Sequence, residues 1–316
     1  MPQLKRRKLE QQSETEKLDV SHDDDSPVPQ QESNTNTIDS GTESENDDIT
    51  NNEKDKIIAT KADMPLNVKK YWKKRYSLFS KFDEGIILTE ELWYSVTPEE
   101  VSIYLLKFIQ HCYPDSSVIL DLFCGGGGNS VQFAKYFDKV ICIDINPVNL
   151  KCTEHNTGVY GKNRQRKLEL YRCNWSYSTE YYLNNNYKND KDIEEETIKE
   201  IKTTVSVFEN LIESKIDIAF ASPPWGGPDY SAEEVFDLQK SLYPLSLEEL
   251  LKGLFKISNN VILFLPRNSD INQIQDITTK LKGANSKVRI SNIYLYEGLK
   301  GILCFWGDAF TEYERQ

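Results

Sequence analysis

The chain has few of the residues that build metal centres and disulfide frameworks. Its 316 residues include six cysteines and three histidines, and no two cysteines stand in a C-x-x-C spacing. Neither a zinc site nor a disulfide network is therefore expected. We expect reduced thiols, mostly in the core, and no bound metal.

Long apolar runs are also missing. The sequence has no apolar stretch of about 18 residues and no signal-peptide pattern, so no membrane-spanning helix is expected. We therefore predict a soluble, intracellular protein.

Aromatic residues are absent from residues 10–55, which carry fifteen acidic side chains against two lysines. Such a composition cannot bury enough apolar surface to offset the entropy of ordering, so we predict a disordered acidic tail over residues 1–55. This tail accounts for most of the net charge of −12, because residues 56–316 carry only −3. The basic cluster at residues 5–8 is typical of a nuclear localisation signal, or equally of a solvated terminus.

From residue 56 onward, apolar runs of strand length alternate with helical patterns. Runs that are apolar on both faces and separated by helices indicate a parallel sheet covered on both sides. The predicted fold class is α/β, a doubly wound sheet with a terminal antiparallel hairpin. Strands are predicted at residues 117–123, 139–144, 167–173, 216–221 and 260–265, and the hairpin at residues 288–296 and 301–307.

Two segments depart from this alternation. The sequence Thr97-Pro-Glu-Glu100 predicts a helix start with Thr97 as the N-cap, within a small helical extension over residues 56–112. The main domain is predicted at residues 113–316. Its polar and aromatic stretch at 177–205 is predicted to be an insertion, part loop and part exposed helix.

Three unusual sequences follow predicted strands. They are Asp121-Leu-Phe-Cys-Gly-Gly-Gly-Gly128, Asp144-Ile-Asn146 and Ser222-Pro-Pro-Trp225. In doubly wound sheets, ligands bind outside the carboxyl ends of the strands, where the strand order reverses. These sequences therefore predict a binding site at that edge.

The glycine loop does not match a dinucleotide fingerprint, because Ser130 stands where G-x-G-x-x-G needs its third glycine. Asp121 is also unsuited to a pyrophosphate but suits the ammonium group of an amino-acid moiety. Glycines allow close backbone approach, and Asp144 can accept both hydroxyls of a ribose. This pattern fits S-adenosylmethionine; the alternative is a glycine-rich turn with a helix-capping acid.

The segments at residues 121–129 and 222–230 resemble class I methyltransferases that act on exocyclic amines, and specifically the trimethylguanosine synthases, which hypermethylate RNA caps. Residues 70–85, 95–99 and 264–268 look like the same family. The resemblance covers about residues 65–310. It implies a Rossmann-like methyltransferase domain, and transfer of two methyl groups from S-adenosylmethionine to N2 of the 7-methylguanosine cap of small nuclear and nucleolar RNAs.

The motif that follows the fourth strand carries the implied chemistry. Trp225 is suited to stack on 7-methylguanine, because that ring carries a positive charge and indole binds cations most strongly of the aromatic rings. Relatives that methylate amines begin this motif with Asn or Asp, whereas Ser222 stands here, so the carbonyl of Pro223 is expected to share the hydrogen bond to the amine. A core role that closes the end of the sheet is the alternative for Trp225.

Further site residues are implied by the resemblance alone. Lys70 and Arg267 match positions that contact the cap phosphates, and Asn156 matches a position near the guanine edge. From the residues alone, Lys70 can equally be a solvated charge and Asn156 a helix C-cap. The implied cofactor-binding residues are Phe79, Thr97, Asp121, Phe123, Gly125, Gly127, Asp144, Asn174 and Trp175.

Two other functions fit the same sequence. One is a methyltransferase of this fold that acts on an internal guanine or adenine of ribosomal RNA, and the other is a non-catalytic module that binds caps. The predicted partners are capped RNA and, through the basic tail, proteins of small ribonucleoproteins. We also expect a monomer located in the nucleus and nucleolus.

Overall fold

The computed structural model describes residues 14–17, 55–178, 181, 194–227, 233–296 and 298–314. Apart from residues 14–17 and 55, the predicted acidic tail lies outside the described residues. Within these ranges, no helix combines the length and the apolarity needed to cross a bilayer. Five of the six cysteines are buried and all six are free thiols.

A mixed sheet forms the centre of the protein. Strands β2 to β6 run parallel to one another, and β8 runs antiparallel to both β6 and β7. The strand order is β1-β7-β8-β6-β5-β2-β3-β4, so the order reverses between β2 and β5. The predicted α/β fold with a terminal hairpin is confirmed. The strands are β1 (Glu14–Lys17), β2 (Val118–Leu122), β3 (Lys139–Asp144), β4 (Leu168–Arg172), β5 (Ile218–Ala221), β6 (Val261–Pro266), β7 (Arg289–Leu295) and β8 (Gly298–Trp306).

Helices cover both faces of the sheet because the central strands are apolar on both sides. In β2, Leu120 and Leu122 pack into one hydrophobic cluster and Ile119 into the other. The first cluster includes side chains of α7, α8 and α9, and the second includes side chains of α3 and α4. The helices are α1 (Arg75–Leu78), α2 (Leu92–Ser95), α3 (Glu99–Cys112), α4 (Ser130–Tyr136), α5 (Pro147–Val159), α6 (Lys162–Gln165), α7 (Glu195–Glu213), α8 (Leu247–Ile257), α9 (Ile271–Lys282) and α10 (Asp308–Thr311).

The N-terminal extension has a small core of its own, which also docks on the main domain. Phe79, Phe82 and Trp93 are buried in one cluster with Val131 of α4 and Cys152 of α5. Helix α3, which we expected to belong to this extension, packs instead against the sheet. Its apolar face, which includes Val101, Leu105 and Ile109, belongs to the sheet cluster.

The predicted cap of α3 is displaced by one residue. Pro98 is the N-cap residue, with no side-chain hydrogen bond, and Thr97 lies outside the helix. The hydroxyl of Thr97 instead accepts a hydrogen bond from Nδ2 of Asn129 at 3.1 Å. A tertiary partner has therefore replaced the local cap that the sequence pattern favours.

Two other segments differ from expectation. Glu14–Lys17, within the predicted disordered tail, forms a strand parallel to β7. An edge strand offers main-chain donors and acceptors whatever the incoming sequence, which explains this pairing. The second half of the predicted insertion is the crossover helix α7, whose face with Ile201, Val207 and Phe208 is buried rather than exposed; residues 179–180 and 182–193 lie outside the described residues.

Candidate functional site

The three predicted strand ends meet at one edge of the sheet. β2 pairs in parallel with β3 on one side and β5 on the other, so their carboxyl ends are neighbours. The loop that follows β2 begins with a hydrogen bond from Cys124 N to Ile143 O at 3.1 Å. The loop after β5 begins with one from Ser222 N to Leu122 O at 3.3 Å. Both loops therefore leave the sheet at the point where the strand order reverses.

Asp121 places an incompletely paired carboxylate beneath this edge. The side chain is fully buried, and its Oδ2 accepts a hydrogen bond from the hydroxyl of Ser130 at 2.5 Å. Its Oδ1 is buried and has no donor in the described part of the chain. Burial, followed by the charge of Asp144, raises the pKa of Asp121 to about 7, against the lowering effect of Ser130. An acceptor in this state suits a cationic donor from a ligand, because leaving it unsatisfied is costly.

Asp144 at the end of β3 is more fully engaged. Its Oδ2 accepts from the backbone of Gly125, and its Oδ1 accepts from the backbone of Asn146, each at 2.9 Å. The side chain of Asn149 adds a third donor at 3.3 Å. Burial raises the pKa of Asp144 to about 6, although these hydrogen bonds oppose the shift. An ionised carboxylate has about four lone-pair sites, so one acceptor site is left for a hydroxyl.

The loop between β2 and α4 contains left-handed backbone. Phe123 has φ of +64°, Gly125 of +55° and Gly127 of +83°. The two glycines adopt this region without steric cost, whereas Phe123 is strained there. Strain of this kind persists where surrounding contacts hold the loop in one form, as a ligand-binding turn requires.

Two other glycines of the loop serve the extension rather than a ligand. A Cβ atom added to Gly128 would lie 2.8 Å from Val96 Cγ1 and 2.9 Å from the carbonyl oxygen of Thr97. One added to Gly126 would lie 3.1 Å from side-chain atoms of Leu88 and Val96. The cofactor-binding prediction concerns Gly125 and Gly127, whereas Gly126 and Gly128 let the extension pack closely.

Asn156 does not face a substrate. Its side chain is fully buried, and its Oδ1 accepts from Ile87 N at 2.9 Å. Its Nδ2 donates to Ile87 O and to Gly126 O, both at 2.9 Å. Since the amide is committed to backbone partners, both expectations for this residue, the guanine edge and a helix C-cap, are wrong.

Two of the aromatic residues expected beside the cofactor are core residues. Trp175 is 2% exposed and packs edge-on against Phe208, with ring centroids 5.3 Å apart. Phe79 is 1% exposed in the extension core, 6.4 Å from the ring of Tyr160. Both side chains are almost fully buried, which disagrees with the expected contact of each ring with the cofactor. Asn174 is only half-buried, and its Oδ1 accepts from Ser176 N at 3.3 Å.

The loop after β5 brings Ser222, Pro223 and Trp225 to the same edge. Pro223 is buried, whereas Ser222 and Trp225 are half-buried. The indole packs edge-on against Phe264 of β6, with centroids 5.2 Å apart and the planes at 64°. This contact fixes the orientation of the indole while part of the ring stays accessible.

Cations from three parts of the chain converge near this edge. Lys300 of β8 is partly buried, and burial and the charges of Lys74 and Arg267 lower its pKa. Lys70 and Lys74 lie over the ring of Tyr71, with their Nζ atoms 5.1 and 5.8 Å from its centroid. Sequence reasoning singled out Lys70 and Arg267 but missed Lys74 and Lys300, because only the folded hairpin brings β8 to the extension.

The family model for RNA cap guanine-N2 methyltransferases matches residues 116–309, more than half of the chain. The chain belongs to this family. The methyltransferase is 39% identical over 269 residues to the trimethylguanosine synthase of Saccharomyces cerevisiae. The alignment covers 84% of this chain and 76% of the yeast protein. It is 35% identical over 246 residues to the trimethylguanosine synthase of Schizosaccharomyces pombe. That alignment covers 77% of this chain and 87% of the fission-yeast protein.

These comparisons confirm the family resemblance that the sequence motifs indicate. As a family member, the methyltransferase uses S-adenosylmethionine as its methyl donor and acts on RNA. The alignment with the yeast protein is longer than the family-model match, so it includes residues outside 116–309.

Proposed function

We propose that this methyltransferase transfers two methyl groups to N2 of a 7-methylguanosine cap and so forms the 2,2,7-trimethylguanosine cap. The observation that carries the proposal is the meeting, at one sheet edge, of the Asp121 acceptor and the loop that bears Trp225. The first suits a cationic methyl donor and the second a cationic purine. The two relatives named trimethylguanosine synthase support the same reaction.

For the cofactor, Asp121 Oδ1 is the acceptor for the ammonium group of the methionine moiety, since it is buried and without a donor in the described residues. Asp144 supplies its remaining acceptor site to the ribose. The backbone of Phe123, Gly125 and Gly127 lines the approach, and the amide of Asn174 is placed for the adenine. When bound, S-adenosylmethionine supplies an electrophilic methyl group on a sulfonium centre.

For the acceptor base, Trp225 holds the charged 7-methylguanine ring through a cation–π contact worth about 0.5 to 2 kcal/mol or more. The hydroxyl of Ser222 and the carbonyl of Pro223 accept hydrogen bonds from the N2 amine and aim its lone pair at the methyl group. Such alignment is the main contribution an enzyme makes to an in-line displacement. The alkylated amine is acidic enough to release its proton to water.

For the cap phosphates, Lys70 and Arg267 are joined by Lys74 and Lys300. Burial, and after it the like charges of Lys74 and Arg267, lower the pKa of Lys300, so the cluster is unfavourable in the free protein. A polyphosphate would relieve that repulsion, which is the usual reason for clustering cations at a phosphate site.

The test compares 7-methyl-GDP with GDP as acceptors, with product masses read by mass spectrometry. We expect successive gains of one and two methyl groups on 7-methyl-GDP and no product from GDP, because only the alkylated ring carries the charge that Trp225 binds. Equal methylation of both would favour an enzyme of internal bases. Absence of methylation together with undetectable binding of S-adenosylmethionine by calorimetry would favour a non-catalytic cap-binding module.

We further propose small nuclear and nucleolar RNAs as substrates and the nucleus and nucleolus as the location. The basic cluster at residues 5–8 supports this and is also the proposed contact for ribonucleoprotein proteins; it lies outside the described residues. A monomer is proposed as well. Light scattering would test the monomer, and cap analysis of nuclear RNA after deletion of the gene would test the substrates.

A further inference from the structure

An exposed tyrosine of the extension lies beside the loop that carries Trp225. Tyr94 of α2 is 37% exposed. A Cβ atom added to Gly227, two residues after Trp225, would lie 3.7 Å from Cε2 of Tyr94. The adjacent Trp93 is buried and anchors this short helix. Tyr94 is therefore held at the margin of the candidate cap site, where it closes no core.

Tyr94 continues into a strip of aromatic and cationic side chains. Its ring lies 6.2 Å from the ring of Tyr71, with the planes tilted by 48°. Lys70 and Lys74 lie over the ring of Tyr71, and the charge of Lys74, after burial, is one of the causes that lower the pKa of Lys300. The strip thus leads from the margin beside Trp225 to the cations proposed for the cap phosphates.

The surroundings of Tyr94 favour a neutral ring over a phosphate as its partner. Burial and the charges of Glu91, Glu90 and Tyr71 raise the pKa of Tyr94, so its hydroxyl stays protonated. Glu90 accepts a hydrogen bond from Asn67 at 2.6 Å. These carboxylates repel phosphate at Tyr94 itself, whereas the lysines beside Tyr71 attract it.

We infer that Tyr94 is a stacking surface for the base of the first nucleotide beyond the cap, with Tyr71 behind it and Lys70 and Lys74 on the adjoining phosphates. Single-stranded nucleic acids are held in this way, with bases on aromatic faces and the backbone along cations. The inference rests on the proposed function, because it assumes a capped RNA at Trp225. It makes Tyr94 a residue that distinguishes capped RNA from a free cap nucleotide.

The experiment measures kcat/KM for a short 7-methylguanosine-capped oligoribonucleotide and for 7-methyl-GDP, and takes their ratio. We expect the wild type to favour the oligonucleotide and Tyr94→Ala to lower that ratio about tenfold, the effect of losing one stacked base. Tyr94→Phe should keep the ratio. Tyr76→Ala is the matched control. Tyr76 is an exposed tyrosine of the same extension, 46% accessible, and its hydroxyl donates a hydrogen bond to Asp83 rather than to a residue of the site.

Anisotropy of a labelled capped oligonucleotide gives a second readout that needs no turnover. An unchanged ratio and affinity in Tyr94→Ala would overturn the inference. So would an equal loss on both substrates, which would place Tyr94 in the cap pocket itself, or a wild type without preference for the oligonucleotide. If the wild-type enzyme methylates neither 7-methyl-GDP nor the oligonucleotide, the proposed function fails. If it methylates both but Tyr94→Ala leaves their kcat/KM ratio unchanged, only the inference about Tyr94 fails and the proposed function stands.

Discussion

The side-chain amide of Asn156 donates a hydrogen bond to the carbonyl oxygen of Gly126 at 2.9 Å, and the same amide holds both backbone polar groups of Ile87. Ile87 belongs to the N-terminal extension and Gly126 to the glycine loop. One buried side chain therefore fixes the position of the extension relative to the loop proposed to bind the cofactor. This residue is a positioning residue, because its partners are all backbone groups of the chain.

Asn156→Ala should destabilise the protein by about 2 to 4 kcal/mol, because it leaves buried backbone donors and acceptors unsatisfied. Urea unfolding measures this loss. The exposed Asn163 of α6 provides the control, since Asn163→Ala should change the free energy of unfolding by less than about 0.5 kcal/mol. Equal stability of the two variants would show that the bridge contributes nothing.

Gly128→Ala should loosen the extension, because the added Cβ would clash with backbone at Thr97 as well as with Val96. We expect a stability loss of about 1 to 3 kcal/mol, the usual effect of overpacking. Limited proteolysis should also cleave the extension faster than in the wild type. Gly253→Ala is the control: the nearest atom to its Cβ lies at 3.8 Å, and alanine favours helix α8. A Gly128→Ala protein as stable and resistant as this control would contradict the packing argument.

Sequence patterns predicted the sheet and its binding edge because both depend on local features. Apolar runs define buried strands, and parallel strands bring Asp121, Asp144 and Ser222 to one edge. The sequence did not predict which side chains turn away from that edge. We expected Asn156 and Trp175 to contact ligands, but tertiary contacts hold both side chains in the interior.

The titration of Asp121 predicts how stability depends on pH in the free protein. Its pKa is about 7 in the folded state, above the value near 4 of an unfolded chain. The folded state therefore binds more protons between these values, so stability falls as pH rises from about 4 to 7, by at most about 4 kcal/mol. Asp121→Asn should make this slope shallower and leave the part due to Asp144, whose pKa is also raised, to about 6, whereas Asp138→Asn, at an exposed position, should retain all of it. If the free energy of unfolding changed with pH by the same amount in wild type and in Asp121→Asn across this range, the assignment would be contradicted.

The same carboxylate should make cofactor affinity depend on pH. The ammonium group of the cofactor prefers an ionised Asp121, so affinity should rise between about pH 6 and 7 and level off above the folded pKa of about 7. Calorimetry with S-adenosylhomocysteine, which keeps that ammonium group, measures it. Asp121→Asn should bind more weakly by about 1.5 to 3 kcal/mol and lose this dependence. A variant that binds like the wild type at every pH would remove Asp121 from the cofactor site.

Lys300→Ala should weaken binding of 7-methyl-GTP roughly tenfold, the usual effect of one charged hydrogen bond, and should affect 7-methylguanosine little. The difference between the two ligands should shrink as salt rises, since phosphate contacts are screened. Lys287→Ala removes an exposed lysine just before β7 and serves as the control. A loss of equal size for nucleoside and nucleotide would show that Lys300 supports the hairpin rather than a phosphate.

Trp225→Ala should abolish methylation of 7-methyl-GDP while leaving the affinity for S-adenosylhomocysteine within about twofold, because the indole is proposed to hold only the acceptor base. The indole also packs on Phe264, so folding must be measured alongside activity. Trp225→Phe should retain part of the turnover through a smaller π face. Phe264→Leu removes the packing partner but not the stacking surface, so it should lower stability more than turnover. If Trp225→Ala turns over 7-methyl-GDP like the wild type, the indole only closes the end of the sheet, and the charged purine must be bound elsewhere.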